Sequence, residues 1–193
     1  MLLGSFITWT GRLSEEGLRI LSKIELLSVE VILLKVEHRE YAEKVLTHLF
    51  IGSKLDGVKF GLSPAALLIR FEHYEDNSPD QLWLNIESKW DLYPKNTNDF
   101  PDSEGEMREL SEEYEYKMIF ELRREKVTNI KLGKLVPHLY IKFESGQTLF
   151  VNGHHEKYEC WQAGDGSEYT GNEWLVVATP GDGISTWAPE SFN

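Results

Sequence analysis

Residues 54–72, KLDGVKFGLSPAALLIRFE, decide the fold, because the chain repeats them at residues 126–144 as KVTNIKLGKLVPHLYIKFE. The offset is 126 − 54 = 72, and it holds without a gap over 19 positions, of which seven are identical. Typical composition gives about one identity in a window of this length. The repeat predicts two similar supersecondary units, each of which needs a neighbour to cover its apolar face.

Both copies contain short runs of alternating apolar and polar residues bounded by turn residues, a pattern typical of antiparallel strands. The predicted strands are 55–60, 67–72 and 82–86 in the first copy, and 127–132, 139–144 and 149–151 in the second. Turns are predicted at 61–64 and at 144–147. If Leu82 and Leu149 correspond, their separation of 149 − 82 = 67 makes the 73–81 loop five residues longer than its counterpart (72 − 67).

Residues 1–52 lie outside the repeat and are predicted to form a helix, a strand and a second helix. Ser14 is a suitable N-cap for a helix that continues through apolar residues at helical spacing to Leu27. Residues 28–36 are rich in Val, Ile and Leu and predict a strand. Residues 39–50 predict the second helix, with Tyr41 and Leu49 on its apolar face.

The stretch between the copies is acidic and contains several prolines, asparagines and glycines. Its second part, residues 107–122, is compatible with either a helix or a strand: the Glu-rich first half favours a helix and the aromatic later half favours a strand. The last strands are predicted at 174–178 and 184–187, on either side of a tight turn at 180–183.

The sequence therefore predicts an α+β fold built from two similar antiparallel β units, an internal duplication, with the N-terminal helices packed on the sheet. The expected segments are 1–52 (N-terminal segment), 53–95 (first repeat), 96–113 (acidic linker) and 114–193 (second repeat with C-terminal strands). Each copy is too small to be stable alone, so we expect one compact domain.

Composition restricts the class of function. No apolar run approaches the roughly 20 residues that span a bilayer, and the first residues lack the features of a secretion signal. The single cysteine, Cys160, fits a reducing compartment, so a cytoplasmic location is predicted. The net charge of −12 disfavours nucleic acid and anionic membranes as partners and is complementary to a basic protein.

No motif predicts a catalytic centre, a cofactor or a metal site. His154 and His155 are adjacent and would point to opposite faces of a strand, so we interpret them as part of a polar loop rather than as metal ligands. Cys160 lies between Glu159 and Trp161, and nearby carboxylates raise a thiol pKa, which favours a buried structural thiol. The 180–183 turn lacks the lysine of a phosphate-binding loop.

Two groups of residues carry a resemblance to a known family. The first is 82–90, an alternating strand that ends in Trp90; the second comprises 127–130, 139–146 and 158–161, which ends in Trp161. In this order they resemble small bacterial β-rich domains, some of which occur in toxin–immunity gene neighbourhoods, over about residues 52–187. The chain departs from the pattern at Asp91, where such domains often carry a basic residue. The family has no catalytic residues to transfer. Trp90 and Trp161 themselves are expected to pack in the core.

The resemblance and the charge together predict a non-enzymatic protein-binding module of immunity-protein type. Its partner is expected to be a basic protein, such as a toxin domain, or a second copy of itself. The predicted binding residues lie in the acidic stretch and are Glu104, Glu106, Glu109, Glu112 and Glu113. The alternative is a hydrolase or small-ligand-binding protein that uses His138, His154 or His155 in a cleft between the two repeats.

Overall fold

The computed structural model of the chain describes residues 15–61, 66–74, 81–167, 169 and 171–192. The predicted N-cap Ser14 and most of the predicted 61–64 turn lie outside these residues. Contacts divide the chain into two compact units, residues 1–34 and residues 35–193. Among the helices described, none has the length and apolar character that crossing a membrane requires.

The N-terminal region forms one helix, α1 (Glu15–Phe50), so the strand predicted at 28–36 is wrong. No glycine or proline occurs between Leu18 and Phe50, and the helix-propensity cost of each Val or Ile is only a few tenths of a kcal/mol. The helical hydrogen bonds therefore continue through the β-branched run. The helix ends before Gly52, which has a positive φ of 91° that suits glycine after a helix C-terminus.

The part of α1 that belongs to the second unit carries a buried apolar stripe with helical spacing. Its members lie in the main hydrophobic cluster and are Ala42, Val45, Leu46, Leu49 and Phe50. The Phe50 ring packs edge-to-face on Phe71, with centroids 5.3 Å apart. Within the first unit, the side chains of Val31, Leu33 and Leu34 are exposed.

Ten strands and a second helix follow α1 in the described residues, giving an α+β fold with two antiparallel sheets. The strands are β1 (Lys54–Phe60), β2 (Leu67–Glu72), β3 (Leu82–Ile86), β4 (Trp90–Tyr93), β5 (Val127–Leu132), β6 (Leu139–Phe143), β7 (Thr148–Val151), β8 (Trp161–Gly164), β9 (Leu175–Thr179) and β10 (Gly183–Trp187). The second helix is α2 (Glu112–Glu121). Short 3-10 helices lie at Glu104–Glu106 and Glu190–Phe192.

The strands form a six-stranded sheet with the order β1-β2-β3-β8-β9-β10 and a four-stranded sheet with the order β4-β7-β6-β5. All pairs are antiparallel. The predicted strands of both copies and the two C-terminal strands are confirmed within one or two residues. The turn predicted at 180–183 joins β9 to β10, with positive φ at Gly181 and Asp182.

The β1–β2 and β5–β6 hairpins have the same register at the offset of 72. Leu55 pairs with Phe71, as Val127 pairs with Phe143, and each β1 or β5 strand has a bulge immediately after this pair. Residues 72 positions apart in these hairpins are called counterparts below.

The predicted match between Leu82 in β3 and Leu149 in β7 is wrong. Ile69 pairs with Leu84, and its counterpart Ile141 pairs with Leu149, a separation of 149 − 84 = 65. The 73–81 loop region is therefore seven residues longer than its counterpart (72 − 65), not five. The sequence did not distinguish Leu82 from Leu84 as the residue that corresponds to Leu149. Both are buried leucines two residues apart, and so they lie on the same face of β3.

Neither β4 nor β8 was predicted as a strand. Each belongs to a different sheet from the strand that precedes it in the chain. After β3, the chain crosses to add β4 beside β7; after β7, it crosses to add β8 beside β3. The crossings are tied by matching backbone hydrogen bonds of 2.9 Å, from Glu87 N–H to the Cys160 carbonyl and from Asn152 N–H to the Lys89 carbonyl. The first crossing takes residues 87–89 and the second takes residues 152–160.

The prediction that Trp90 and Trp161 pack in the core is confirmed, since both are buried. Trp90 pairs with Val151 and Trp161 pairs with Ile86, so each tryptophan begins an exchanged strand. The Trp161 indole N–H donates to the Pro137 carbonyl at 2.9 Å, which satisfies its one polar group.

Residues 112–121 are helical, so the choice that the sequence left open for 107–122 is decided in favour of a helix there. Ser111 caps the helix by accepting a hydrogen bond from Tyr114 N–H, and three glutamates in the first turn complement the helix dipole. The buried residues Met118, Ile119 and Leu122 have helical spacing. Burial on one helical side thus outweighs the strand propensity of the aromatic residues.

Candidate functional site

The five glutamates predicted to bind a partner fall into two groups. The first three hold the linker in place: Glu104 accepts from Lys89 N–H at 3.2 Å, Glu106 accepts from Asp102 N–H at 3.0 Å, and Glu109 pairs with Lys89 Nζ at 2.5 Å. These carboxylates are therefore engaged within the protein. The other two, Glu112 and Glu113, are exposed on the first turn of α2.

An ion pair that the sequence did not reveal anchors the linker before α2. Asp91 on β4 is 1% exposed and accepts from Arg108 Nε at 2.8 Å and Nη2 at 2.6 Å. The same carboxylate accepts from Leu92 N–H at 2.7 Å. The hydrogen bond to Asp91 raises the pKa of Arg108. This two-point contact fixes the position from which α2 starts.

One side of α2 combines acidic and aromatic side chains. Glu112, Tyr116 and Phe120 lie at positions i, i+4 and i+8 and so follow one another along the helix, with Glu113 beside them. The Tyr116 hydroxyl donates to the Glu112 carboxylate, and this hydrogen bond raises the pKa of Tyr116. We call Glu112, Glu113, Tyr116 and Phe120 the α2 stripe.

The α2 stripe adjoins an exposed aromatic residue of β1. Phe60 is 45% exposed and its ring centroid lies 4.0 Å from that of Tyr116, while Phe120 is 70% exposed. A groove of about 380 Å³ lies between α2 and β1. Its apolar lining includes Leu55, Val58, Phe60, Ile119 and Phe120. A groove of this kind can accept an apolar side chain of another protein.

His138, His154 and His155 lie elsewhere, and among the described residues His154 is the one of the three that forms a side-chain pair with a carboxylate. His154 Nδ1 lies 2.5 Å from Asp182 Oδ1. The pair is at the edge of a cleft of about 560 Å³ lined by residues 103–105 and 154–158. Asp182 has a positive φ of 63°, and its carbonyl accepts from the buried Arg39 at 2.7 Å. The sequence did not indicate that Asp182 contacts His154 and Arg39, because both residues are far from Asp182 along the chain.

The imidazole rings of His138 and His155 form hydrogen bonds to the backbone of loop residues. His138 is buried; its Nδ1 accepts from Gly153 N–H at 3.0 Å, and Nε2 donates to the Asp102 carbonyl at 3.3 Å. Burial lowers the pKa of His138. His155 Nδ1 accepts from the backbone N–H groups of Lys157 and Tyr158, both at 3.0 Å. The interpretation of 154–156 as part of a polar loop is confirmed.

Cys160 is a buried free thiol, as the sequence predicts, and burial raises its pKa to about 12. A thiol of this kind is protonated at neutral pH and is a poor nucleophile. In the part of the chain described here, no three His, Cys, Asp or Glu side chains are grouped in a way that could hold a metal ion.

No protein family, curated protein or solved structure matches this chain. The geometry of the described residues is therefore the basis for the functional argument. The candidate sites described so far are the α2 stripe with its apolar groove and the cleft beside His154 and Asp182.

Proposed function

We propose that this chain is a non-enzymatic protein-binding module of immunity-protein type, whose α2 stripe and adjoining groove bind a basic protein such as a toxin domain. The observation that carries the proposal is the exposure of Phe120 and Phe60 beside Glu112 and Glu113 on one surface. Exposed aromatic side chains next to charged residues are typical of interaction surfaces.

The aromatic and acidic residues have different roles in this proposal. Phe120 and Phe60, with the groove between them and Ile119, supply the apolar contact that gives most of the affinity. Glu112 and Glu113, in a chain of net charge −12, attract a basic partner and orient its approach. Glu104, Glu106 and Glu109 contribute to the field while they hold the linker in position.

The experiment first identifies the neighbouring gene, which is expected to encode a secreted protein with a basic C-terminal toxin domain, and then measures a binding titration with that domain. Phe120→Ala is expected to weaken binding by about thirtyfold, the effect of a loss of about 2 kcal/mol at an interface centre. The matched control is Leu135→Ala, which removes a side chain that is 77% exposed in the β5–β6 turn. Equal affinity in both variants contradicts the proposal, as does a chain that associates only with itself.

Charge reversal tests the second part of the proposal. Glu112→Lys with Glu113→Lys is expected to lower the association rate and to reduce its dependence on salt. The same reversal at Glu144 and Glu156, which are exposed on other loops, keeps the net charge change equal. If both double variants slow association equally, the α2 stripe has no special role.

We also infer that the two β units arose by internal duplication and that the module acts in the cytoplasm. The identical register of the two hairpins, their matching bulges and the reciprocal crossing of β4 and β8 support the duplication. A single buried cysteine supports a reducing compartment. Fractionation of cells that express the full-length protein tests the location.

A second candidate function is hydrolysis or binding of a small molecule in the cleft beside His154. The contact between His154 and Asp182 favours it, because a carboxylate can orient an imidazole as a general base. Turnover of generic ester or phosphate substrates that is lost in His154→Ala and kept in His155→Ala supports this function. Binding of the toxin domain that is unchanged in His154→Ala, with no turnover, supports the protein-binding module.

A further inference from the structure

The outward face of the four-stranded sheet carries lysines and aromatic side chains in two rows across the strands. Asn129, Lys142 and Thr148 are paired in one row, and Lys131, Tyr140 and Phe150 are paired in the next. Directly paired side chains of an antiparallel sheet share a face, with Cβ atoms about 5 Å apart. Lys131 and Lys142 are therefore diagonal neighbours on either side of the β5–β6 pairing, with Tyr140 next to both.

The linker lies against this face and forms a groove with it. A groove of about 470 Å³ is lined by two linker residues, Thr97 and Phe100, and by sheet and turn residues. The latter are Asn129, Lys131, Leu132, Gly133, Lys134, Tyr140, Lys142 and Thr148. We call this site the lysine–tyrosine groove. Its volume is that of a site for one small molecule.

The cations of the groove are free for a ligand. Lys131, Lys134 and Lys142 are exposed, and within the described residues no carboxylate lies within ion-pair distance of them. Three lysines around one groove are unexpected in a chain with 32 acidic and 20 basic residues. They create a local site for an anion on an acidic protein.

The aromatic side chains of the groove pack against one another. Phe100 packs against Tyr140 with ring centroids 5.1 Å apart and is stacked on Phe150 at 6.0 Å. Tyr140 also contacts Phe150 at 5.3 Å. These contacts hold the Phe100 and Tyr140 rings at the wall of the groove, where each presents apolar surface to a flat ligand.

The first hairpin keeps only one of these features, a lysine, at the counterpart positions. Leu68 takes the place of Tyr140, and Arg70, in the place of Lys142, is paired with Glu72 at 3.3 Å. Lys59, the counterpart of Lys131, keeps the positive charge, and both lysines lie on an edge strand of their sheet. The groove is therefore a feature of the second copy alone, and neither the common fold nor the core requires it.

We propose that the lysine–tyrosine groove binds a small ligand that joins a flat ring to a phosphate group, the class that includes nucleoside monophosphates and aryl phosphates. Lys131, Lys134 and Lys142 contact the phosphate, and the Tyr140 and Phe100 rings contact the flat part. Asn129, Thr97 and Thr148 supply neutral hydrogen-bonding groups at the wall. This site is separate from the α2 stripe, so the proposal does not depend on the protein-binding function.

The test is isothermal titration of the full-length chain with adenosine 5′-monophosphate and with 4-nitrophenyl phosphate. At least one of them is expected to bind more tightly than adenosine, 4-nitrophenol or inorganic phosphate alone, and more weakly as salt is added. Lys131→Gln with Lys142→Gln is expected to weaken binding at least about tenfold, because each lysine makes a charge-assisted contact. Tyr140→Leu, which installs the residue of the first copy, is expected to weaken it about tenfold.

The matched pair of single variants is Lys131→Gln and Lys59→Gln, which remove one charge each, inside and outside the groove. Lys59→Gln is expected to leave the affinity unchanged within about twofold. Thermal unfolding of each variant verifies that it is folded. The proposal is overturned if neither phosphate binds, if adenosine or 4-nitrophenol binds as well as its phosphate, or if Lys59→Gln has the same effect as the groove variants.

Discussion

Lys54 and Lys126, which are counterparts in the repeat, form an antiparallel β-bridge with each other. The hydrogen bonds around this bridge are reciprocal: Leu55 N–H donates to the Glu125 carbonyl at 3.3 Å, and Val127 N–H donates to the Ser53 carbonyl at 2.8 Å. When a residue pairs with its own counterpart in this way, a local two-fold axis passes between them. The backbone on either side of the bridge, at residues 53–55 and 125–127, is therefore arranged symmetrically.

Cleavage of the linker is expected to give two fragments that fold only together. In fragments 1–96 and 97–193, β3 lacks β8 and β7 lacks β4, so each fragment has an unpaired strand and an uncovered core. Mixing the fragments is expected to restore β-sheet circular dichroism and to give a 1:1 complex by light scattering. Cooperative thermal unfolding of either fragment alone would refute this expectation.

A side chain at Gly153 is expected to destabilise the fold. A Cβ atom at this position would lie 2.1 Å from the Pro137 carbonyl oxygen, and rigid backbone surrounds it. Gly153→Ala is expected to lower the free energy of unfolding by about 3 kcal/mol, measured by urea denaturation. The control is Gly105→Ala, where the nearest atom to the new Cβ is 3.8 Å away. If Gly153→Ala and Gly105→Ala lower the free energy of unfolding by similar amounts, the short distance between residue 153 and the Pro137 carbonyl does not destabilise the variant.

Stability is expected to fall as His138 becomes protonated. Burial lowers its pKa in the folded state, so the unfolded chain binds a proton first as the pH falls. The stabilisation is therefore complete above the ordinary histidine pKa and is lost below it. The free energy of unfolding is expected to decrease from about pH 7 to about pH 5.

His138→Asn isolates this effect, because an asparagine amide can accept the Gly153 N–H hydrogen bond without titrating. The pH dependence in this range is expected to be smaller in His138→Asn than in the wild type. His38→Asn, which changes an exposed histidine of α1, is expected to keep the wild-type slope. An unchanged slope in His138→Asn would exclude His138 as the source.

Loss of the Arg108 side chain is expected to leave the Asp91 carboxylate buried without a cation. Because Arg108 is 53% exposed, the expected loss of unfolding free energy is about 2 kcal/mol, less than for a fully buried pair. The double variant Arg108→Ala with Asp91→Asn is expected to recover part of the lost unfolding free energy, because the buried side chain is then uncharged. Arg70→Ala breaks the pair with Glu72, whose carboxylate is 33% exposed, and is expected to cost less than about 1 kcal/mol. Equal losses at both sites would argue against the burial of Asp91 as the cause.

The hairpins were predictable because their information is local. Alternating residues and turn residues specify β1, β2, β5 and β6 within short windows, and an ungapped offset of 72 implies that both copies fold alike. The prediction for residues 28–36 was wrong for the opposite reason: β-branched residues favour a strand locally, but an uninterrupted helical chain on both sides outweighs that preference.

The exchanged strands and the sites depend on long-range contacts, which a local pattern does not contain. The segment 90–93 is adjacent in sequence to β3, and only the pairing of Trp90 with Val151 assigns it to the other sheet. The contacts between His154 and Asp182 and between Asp91 and Arg108 join residues 28 and 17 positions apart. Of the predicted acidic residues, only Glu112 and Glu113 have side chains on the exposed stripe of α2.

The reciprocal crossings have a consequence for quaternary structure. A single-copy chain with the same hairpin and the same crossing strand would complete its sheet only by exchanging that strand with a second molecule, as in a domain-swapped homodimer. Its folding would then depend on protein concentration. In the present chain, the linker that follows β4 connects the two copies, so β4 and β8 complete both sheets within one molecule. We therefore expect the folding of this chain to be independent of protein concentration.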